Sequence, residues 1–261
     1  LNAKVTKMLN STLKAKLAQA NSAGDQIQCS IPDCYRPTMR SAGVGLAQFH
    51  CRYHVQFLAR HGSHWCSSIS ATDLKPYLQV ALRWIKKHMS QPDVARALTE
   101  IDWLLANAGR SEPAQNIKRR SAIERGRIAF ARLREANVMP ERLLAIHMAV
   151  SAIIADDRGS HRVPEFRIVQ VAKAAHRLAS GTHKRWDFPL ADGRTAPIEF
   201  HVYPKSSGRV LRVIGGKLEE ICAEVTEQNL QEIRDLKLER FGPHPSHLPG
   251  WRPLWARQRE I

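Results

Sequence analysis

Three of the chain's five cysteines and three of its twelve histidines fall in the stretch CSIPDCYRPTMRSAGVGLAQFHCRYHVQFLARHG, from Cys29 to Gly62. A segment this short cannot bury a core of its own, so a crosslink or a bound metal must supply the missing folding energy. The cysteines are odd in number and clustered (Cys29, Cys34, Cys51, Cys66), with Cys222 far away. A disulfide framework distributes even sets along a chain, whereas clustered thiols among imidazoles point to metal ligation in a reducing compartment.

The simplest ligand set is Cys29, Cys34, Cys51 and His54. Cys29 and Cys34 can share a knuckle turn, and Cys51 and His54 can approach a metal from the first turn of a helix. Three sulfurs and one nitrogen make the closed tetrahedral shell of structural zinc, with no open position for catalysis. Soft thiolates favour zinc over magnesium or calcium, with an iron–sulfur centre as the alternative. His50, His61, His64 and Cys66 compete for the fourth place.

These residues carry a resemblance. The pattern Cys29, Cys34, Arg36, Pro37, Cys51, His54, Arg60, His61, Gly62 resembles the small zinc module of HNH-type homing endonucleases and of phage and mobile-element proteins. The loop between Cys34 and Cys51 is longer than that family's, and no His–Asn–His nuclease core accompanies it. The resemblance spans residues 29–62 and implies association with nucleic acid rather than an activity.

Charge points the same way. Forty Lys and Arg stand against 24 Asp and Glu, a formal net charge of +16, which implies a polyanionic partner. Arg36, Arg40, Arg52 and Arg60 surround the proposed ligands. A second basic zone, NIKRRSAIERGRIAFARLR, contributes Lys118, Arg119, Arg120, Arg127 and Arg134. On one helix, Arg120, Arg127 and Arg134 would recur every seven residues and share a face, suited to phosphate and guanine contact. The expected partner is duplex DNA, with RNA as an alternative and a homo-oligomer or a protein partner also compatible.

The chain is expected to be mainly α: a basic N-terminal helix (1–24), a zinc module (25–66), a helical domain (67–182), and a small α+β segment with a Trp/Pro-rich tail (183–261). Helical spacing runs through Leu74, Tyr77, Leu78, Ala81, Leu82 and Ile85, with Thr72 as a candidate cap. Further helices follow in SQPDVARALTEIDWLLANAG, in SEPAQNIKRRSAIERGRIAFARLREANV capped at Ser111, in MPERLLAIHMAVSAIIADD and in VPEFRIVQVAKAAHRLASG. After THKRWDFPLADG, two strands are expected at Ile198–Tyr203 and Arg209–Ile214. One long helix, GKLEEICAEVTEQNLQEIRDLKLERFG, then closes the fold.

The longest mostly apolar stretch, Leu143–Ile154, is too short to span a bilayer. No secretory signal opens the chain, so a bacterial or phage-host cytoplasm is the expected location. For an enzyme, IGGK at Ile214–Lys217 lacks the remainder of a phosphate loop. Asp156, Asp157 and His161 could hold a divalent ion in a nuclease or recombination factor, and Glu199 with His201 is a weaker pair. A protein-interaction scaffold is the third class that the composition permits.

Overall fold

The computed structural model describes residues 27–38, 48–112, 116–179, 182–191, 194–202 and 207–252. The proposed N-terminal helix, Arg40 and the end of the Trp/Pro-rich tail lie outside them. The fold is mainly α, with eight helices and one two-stranded sheet among the described residues. The chain divides into two compact units, Leu1–Ala59 and Arg60–Ile261.

The helices are α1 (Arg52–His61), α2 (Ala71–His88), α3 (Pro92–Ala106), α4 (Ala122–Glu135), α5 (Pro140–Asp156), α6 (Pro164–His176), α7 (Gly208–Ile221) and α8 (Glu227–Phe241). The strands, β1 (Thr182–Pro189) and β2 (Thr195–Val202), precede α7. In the second unit five helices pack around α5. Each of its residues from Leu143 to Ile154 is buried, which requires neighbours on all sides. Helices α2, α3, α6, α7 and α8 supply them. Pro140 starts α5 at a position where its missing N–H is harmless. The apolar run that is too short for a membrane is therefore a buried core helix, and no single helix among the described residues is long and apolar enough to cross a bilayer.

Helices α6 and α7 approach very closely. A Cβ on Gly215 of α7 would lie 2.0 Å from the carbonyl oxygen of Ile168. That explains the glycine in IGGK, which is the middle of a helix and cradles no phosphate. A Cβ on Gly126 of α4 would likewise meet Val213 Cγ1 at 2.6 Å.

Several expected elements differ. Arg209–Ile214 is the start of α7, not a strand. Val210, Leu211, Ile214 and Leu218 line its buried face at helical spacing, and packing against α4 and α6 overrides the local β-branched preference. The true partner of β2 lies upstream: Thr182 pairs with Val202 and Pro189 with Thr195, antiparallel. Pro197 is tolerated because each strand of a two-stranded ribbon has an unpaired edge. The expected long final helix is broken between Ile221 and Glu227. Cys222 ends α7 and Thr226 caps α8, its side chain accepting from the Asn229 N–H.

The helix expected from Ser111 starts at Ala122 instead. Ser121 and Glu124 form a reciprocal capping box, with the Ser121 N–H donating to Glu124 at 2.9 Å. Ser70, not Thr72, caps α2.

Candidate metal centre

The first unit is built around a small knuckle. Gln28 and Pro37 form an antiparallel bridge, and the Cys29 N–H donates to the Arg36 carbonyl at 3.0 Å. Asp33 takes a left-handed conformation (φ 62°) at the tip, which allows a tight reversal. Cys34 then returns beside Cys29, its N–H on the Ile31 carbonyl at 3.1 Å. The N–H and the hydroxyl of Ser30 both donate to the Phe49 carbonyl at 2.8 Å. That double contact anchors the chain just ahead of Cys51, whose own carbonyl accepts the Val55 N–H at the start of α1.

Four side chains converge there. Donor atoms of Cys29, Cys34, Cys51 and His54 all lie within 4.8 Å of one another, and they form the one group able to hold a metal found among the described residues. Cys34 and Cys51 hold their sulfurs 3.8 Å apart. His54 Nδ1 is 3.2 Å from Cys29 Sγ and 3.5 Å from Cys51 Sγ. A tetrahedron with ~2.3 Å metal–sulfur bonds has a sulfur–sulfur edge of ~3.8 Å, and its sulfur–nitrogen edge is ~3.5 Å. The Cys34–Cys51 and Cys51–His54 separations match those edges, and the Cys29–His54 separation is slightly shorter. All five cysteines are free thiols, so the pairing of Cys34 with Cys51 is proximity and not a disulfide.

Protonation favours a ligand role. Burial opposes the Cys51 thiolate, but hydrogen bonds from the His54 N–H, the Cys34 and Cys29 thiols and the Tyr53 N–H bring its pKa below the usual thiol value. Burial, with the neighbouring sulfurs of Cys51 and Cys29, pushes the Cys34 thiol up. A divalent cation would remove that conflict by displacing the protons.

None of the four competitors joins the group, and two of them are engaged elsewhere. His61 Nδ1 lies 3.0 Å from the Ser68 hydroxyl, and Cys66 Sγ donates to the Gly159 carbonyl at 3.4 Å. Gly62 ends α1 with φ 75°, and a Cβ there would meet the Glu165 carbonyl at 2.6 Å. The HG of the sequence pattern is therefore a helix stop with close backbone packing.

The basic candidates separate into groups. Arg36 is exposed and its guanidinium lies 4.9 Å from the Tyr53 ring centre. Tyr53 packs edge-on against the His54 imidazole. Arg52, Arg60, Arg119 and Arg127 are exposed, and Lys118 sits in the short turn Asn116–Arg119. Arg120 precedes α4 and pairs with Glu112 at 2.9 Å and Glu124 at 3.7 Å. Arg134 turns inward to donate to the carbonyls of Leu105, Ala106 and Gly109 at 3.1, 2.9 and 2.6 Å. It closes the end of α3. The expected stripe of Arg120, Arg127 and Arg134 on one helix therefore does not form.

The acidic candidates do not form a metal group either. Asp156 takes the hydroxyl hydrogen bond of Tyr77 and lies 4.0 Å from Lys237 Nζ. Asp157 accepts the Gly159 N–H at 2.9 Å. His161 Nδ1 lies 3.1 Å from the Ser63 hydroxyl, and its ring packs on Trp65. Sequence reasoning missed what Asp156 does because its partners lie on α2 and α8, far along the chain.

No protein-family model matches the sequence, and no match is found among curated proteins or among solved structures.

Proposed function

We propose that the chain is a zinc-stabilised, DNA-binding protein in which the metal holds a small basic module in shape. The Cys29, Cys34, Cys51, His54 cluster carries this reading, because its edge lengths suit a tetrahedral ion and its three sulfurs select zinc among the common divalent ions. Zinc with three thiolates and one neutral imidazole has a net charge of −1. The metal site therefore repels phosphate, and affinity must come from the arginines around it.

Arg36, stacked on Tyr53, and Arg52 are the module's candidates for phosphate contact. Tyr35, 78% exposed, offers an apolar face beside them. Arg60, Lys118, Arg119 and Arg127 would add to the electrostatic attraction, and the net charge of +16 supports a polyanionic partner. The resemblance to mobile-element zinc modules agrees with this.

The test is a titration of zinc-loaded protein against duplex DNA over a range of salt. Binding should weaken with a log–log slope of about −0.9 per phosphate neutralised. Arg36→Gln and Arg52→Gln should each reduce the slope by about one phosphate. Affinity that is absent at low salt, or flat across the range, would overturn the reading. Equal or tighter binding of RNA would move the partner class to RNA.

A further inference from the structure

We propose that Ser68 is an activated nucleophile, with Lys173 as its general base, in a second site suited to esters that carry an apolar acyl or alcohol group. The site belongs to the second unit and is independent of the metal centre.

Geometry comes first. Lys173 on α6 places Nζ 2.6 Å from the Ser68 hydroxyl. His61, the last residue of α1, closes a triangle: its Nδ1 is 3.1 Å from Lys173 Nζ and 3.0 Å from Ser68 Oγ. Gln170, one turn before Lys173 and 2% exposed, fixes the surroundings. Its amide nitrogen donates to the His61 carbonyl at 2.9 Å, and its oxygen accepts the Ile69 N–H at 3.1 Å. Both segments that flank the triangle are therefore pinned by one side chain.

The electrostatics are those of a base and not of an ion pair. A lysine beside a carboxylate would be held in its charged form, unable to act as a base. Among the described residues, none lies within ion-pairing distance of Lys173. Burial, helped by Arg177, lowers its pKa to about 8. Burial, with the positive charges of Lys173 and Arg60, lowers His61 to about 4. His61 is then neutral near pH 7 and too weak a base to deprotonate a serine. It can instead accept an N–H of Lys173 and steer the amine's lone pair toward Ser68. Lysine supplies the stronger base close to working pH, which is the condition for efficient proton transfer.

The hydroxyl also has somewhere to act. Ser68 borders a cavity of about 360 Å³, with Lys173 and His61 behind it, and the walls combine Trp65, Phe166 and Trp251 with Asp73, Asp157 and Arg252. That volume lies near the low end of the ~300–1,000 Å³ of small-molecule sites. The aromatic part of that wall suits a short hydrocarbon chain, and its charged groups leave room for a polar end.

In the step inferred, Ser68 Oγ bonds to the ester carbonyl carbon while its proton passes to the neutral Lys173 amine. Collapse of the tetrahedral intermediate breaks the bond to the alkoxide, which leaves with the proton from the Lys173 ammonium. Water then attacks the acyl-serine with Lys173 again as base, releasing the acid and regenerating the hydroxyl. Ester and water become acid and alcohol, with no other reactant.

The experiment uses full-length protein, a fluorophosphonate probe and p-nitrophenyl butyrate. Labelling of Ser68, located by peptide mass spectrometry and lost in Ser68→Ala, is the expected result. Its rate should rise as pH passes about 8. Lys173→Met should slow labelling and ester turnover by about 100-fold or more. If that variant loses its thermal transition, Lys173→Arg decides, since it keeps the charge and hydrogen-bonding capacity but cannot deprotonate. Folded wild-type protein that takes up no probe and turns over the ester no faster than Ser68→Ala overturns the inference. So does a folded Lys173→Arg that labels at the wild-type rate.

Discussion

His147, midway along the buried helix α5, places Nε2 3.0 Å from Oε2 of Glu219 on α7. Arg167 of α6 reaches the same carboxylate with two nitrogens, Nε at 3.1 Å. One carboxylate thus joins three helices around the core axis. Burial alone would raise the pKa of Glu219, but the hydrogen bonds and charges of His147 and Arg167 outweigh it and hold the group at about 2. A glutamate depressed below its unfolded value near ~4.3 stabilises the fold above that pH, and the contribution is lost as pH falls toward about 2. Wild-type protein should therefore lose stability to urea across that acidic window, and Glu219→Gln should flatten the dependence. At neutral pH, Glu219→Ala should lower the unfolding free energy by about 3 kcal/mol, the lower end for removing one partner of a buried pair, since Arg167 keeps some solvent.

Metal content is the direct check on the first unit. Elemental analysis should find one ion per chain, and cobalt substitution should give the visible bands of a tetrahedral thiolate site. Cys51→Ser should abolish stoichiometric binding. Because α2–α8 and their core include none of the four ligands, their melting transition should survive chelation.

Gly215→Ala tests the contact between α6 and α7. The added methyl would lie 2.0 Å from a backbone carbonyl, an atom that cannot rotate away. The helices must separate, and overpacking of this kind costs about 1–3 kcal/mol, at the upper end here. Gly216→Ala is the control, since nothing lies within 4 Å of its Cβ position. It should leave stability unchanged or raise it, because alanine is the better helix former.

Arg134→Met should separate stability from binding. It removes the donors that satisfy three carbonyls at the end of α3, at a cost of about 1–3 kcal/mol for hydrogen bonds to a charged group. Affinity for DNA at fixed salt should stay close to wild type in folded protein. Arg127→Gln, which alters an exposed residue, should show the reverse: unchanged melting and weaker, less salt-dependent binding.

Much of the architecture was legible along the chain. The spacing of Cys29, Cys34, Cys51 and His54 named the group that converges, because a knuckle and the first turn of a helix are local structures. The segment around Leu143–Ile154 was legible as a helix too short for a bilayer, and the helical periodicity of residues 74–85 placed α2. Those signals are carried by periodicity and spacing along the chain, which set the local helix and knuckle geometry before any distant partner is chosen.

Only the tertiary structure decided the rest. Whether Arg209–Ile214 became strand or helix depended on a face for Val210 and Ile214 offered by α4 and α6. Whether Arg134 faced solvent depended on carbonyls at Leu105 and Gly109, and whether Asp156 was free depended on Tyr77 and Lys237. The triangle of His61, Ser68 and Lys173 joins residues whose nearness no spacing records, since Lys173 comes to them only when α6 docks. A helix or a metal knuckle is specified by neighbours in sequence, but the partner of a long charged side chain is specified by which surfaces the core brings together.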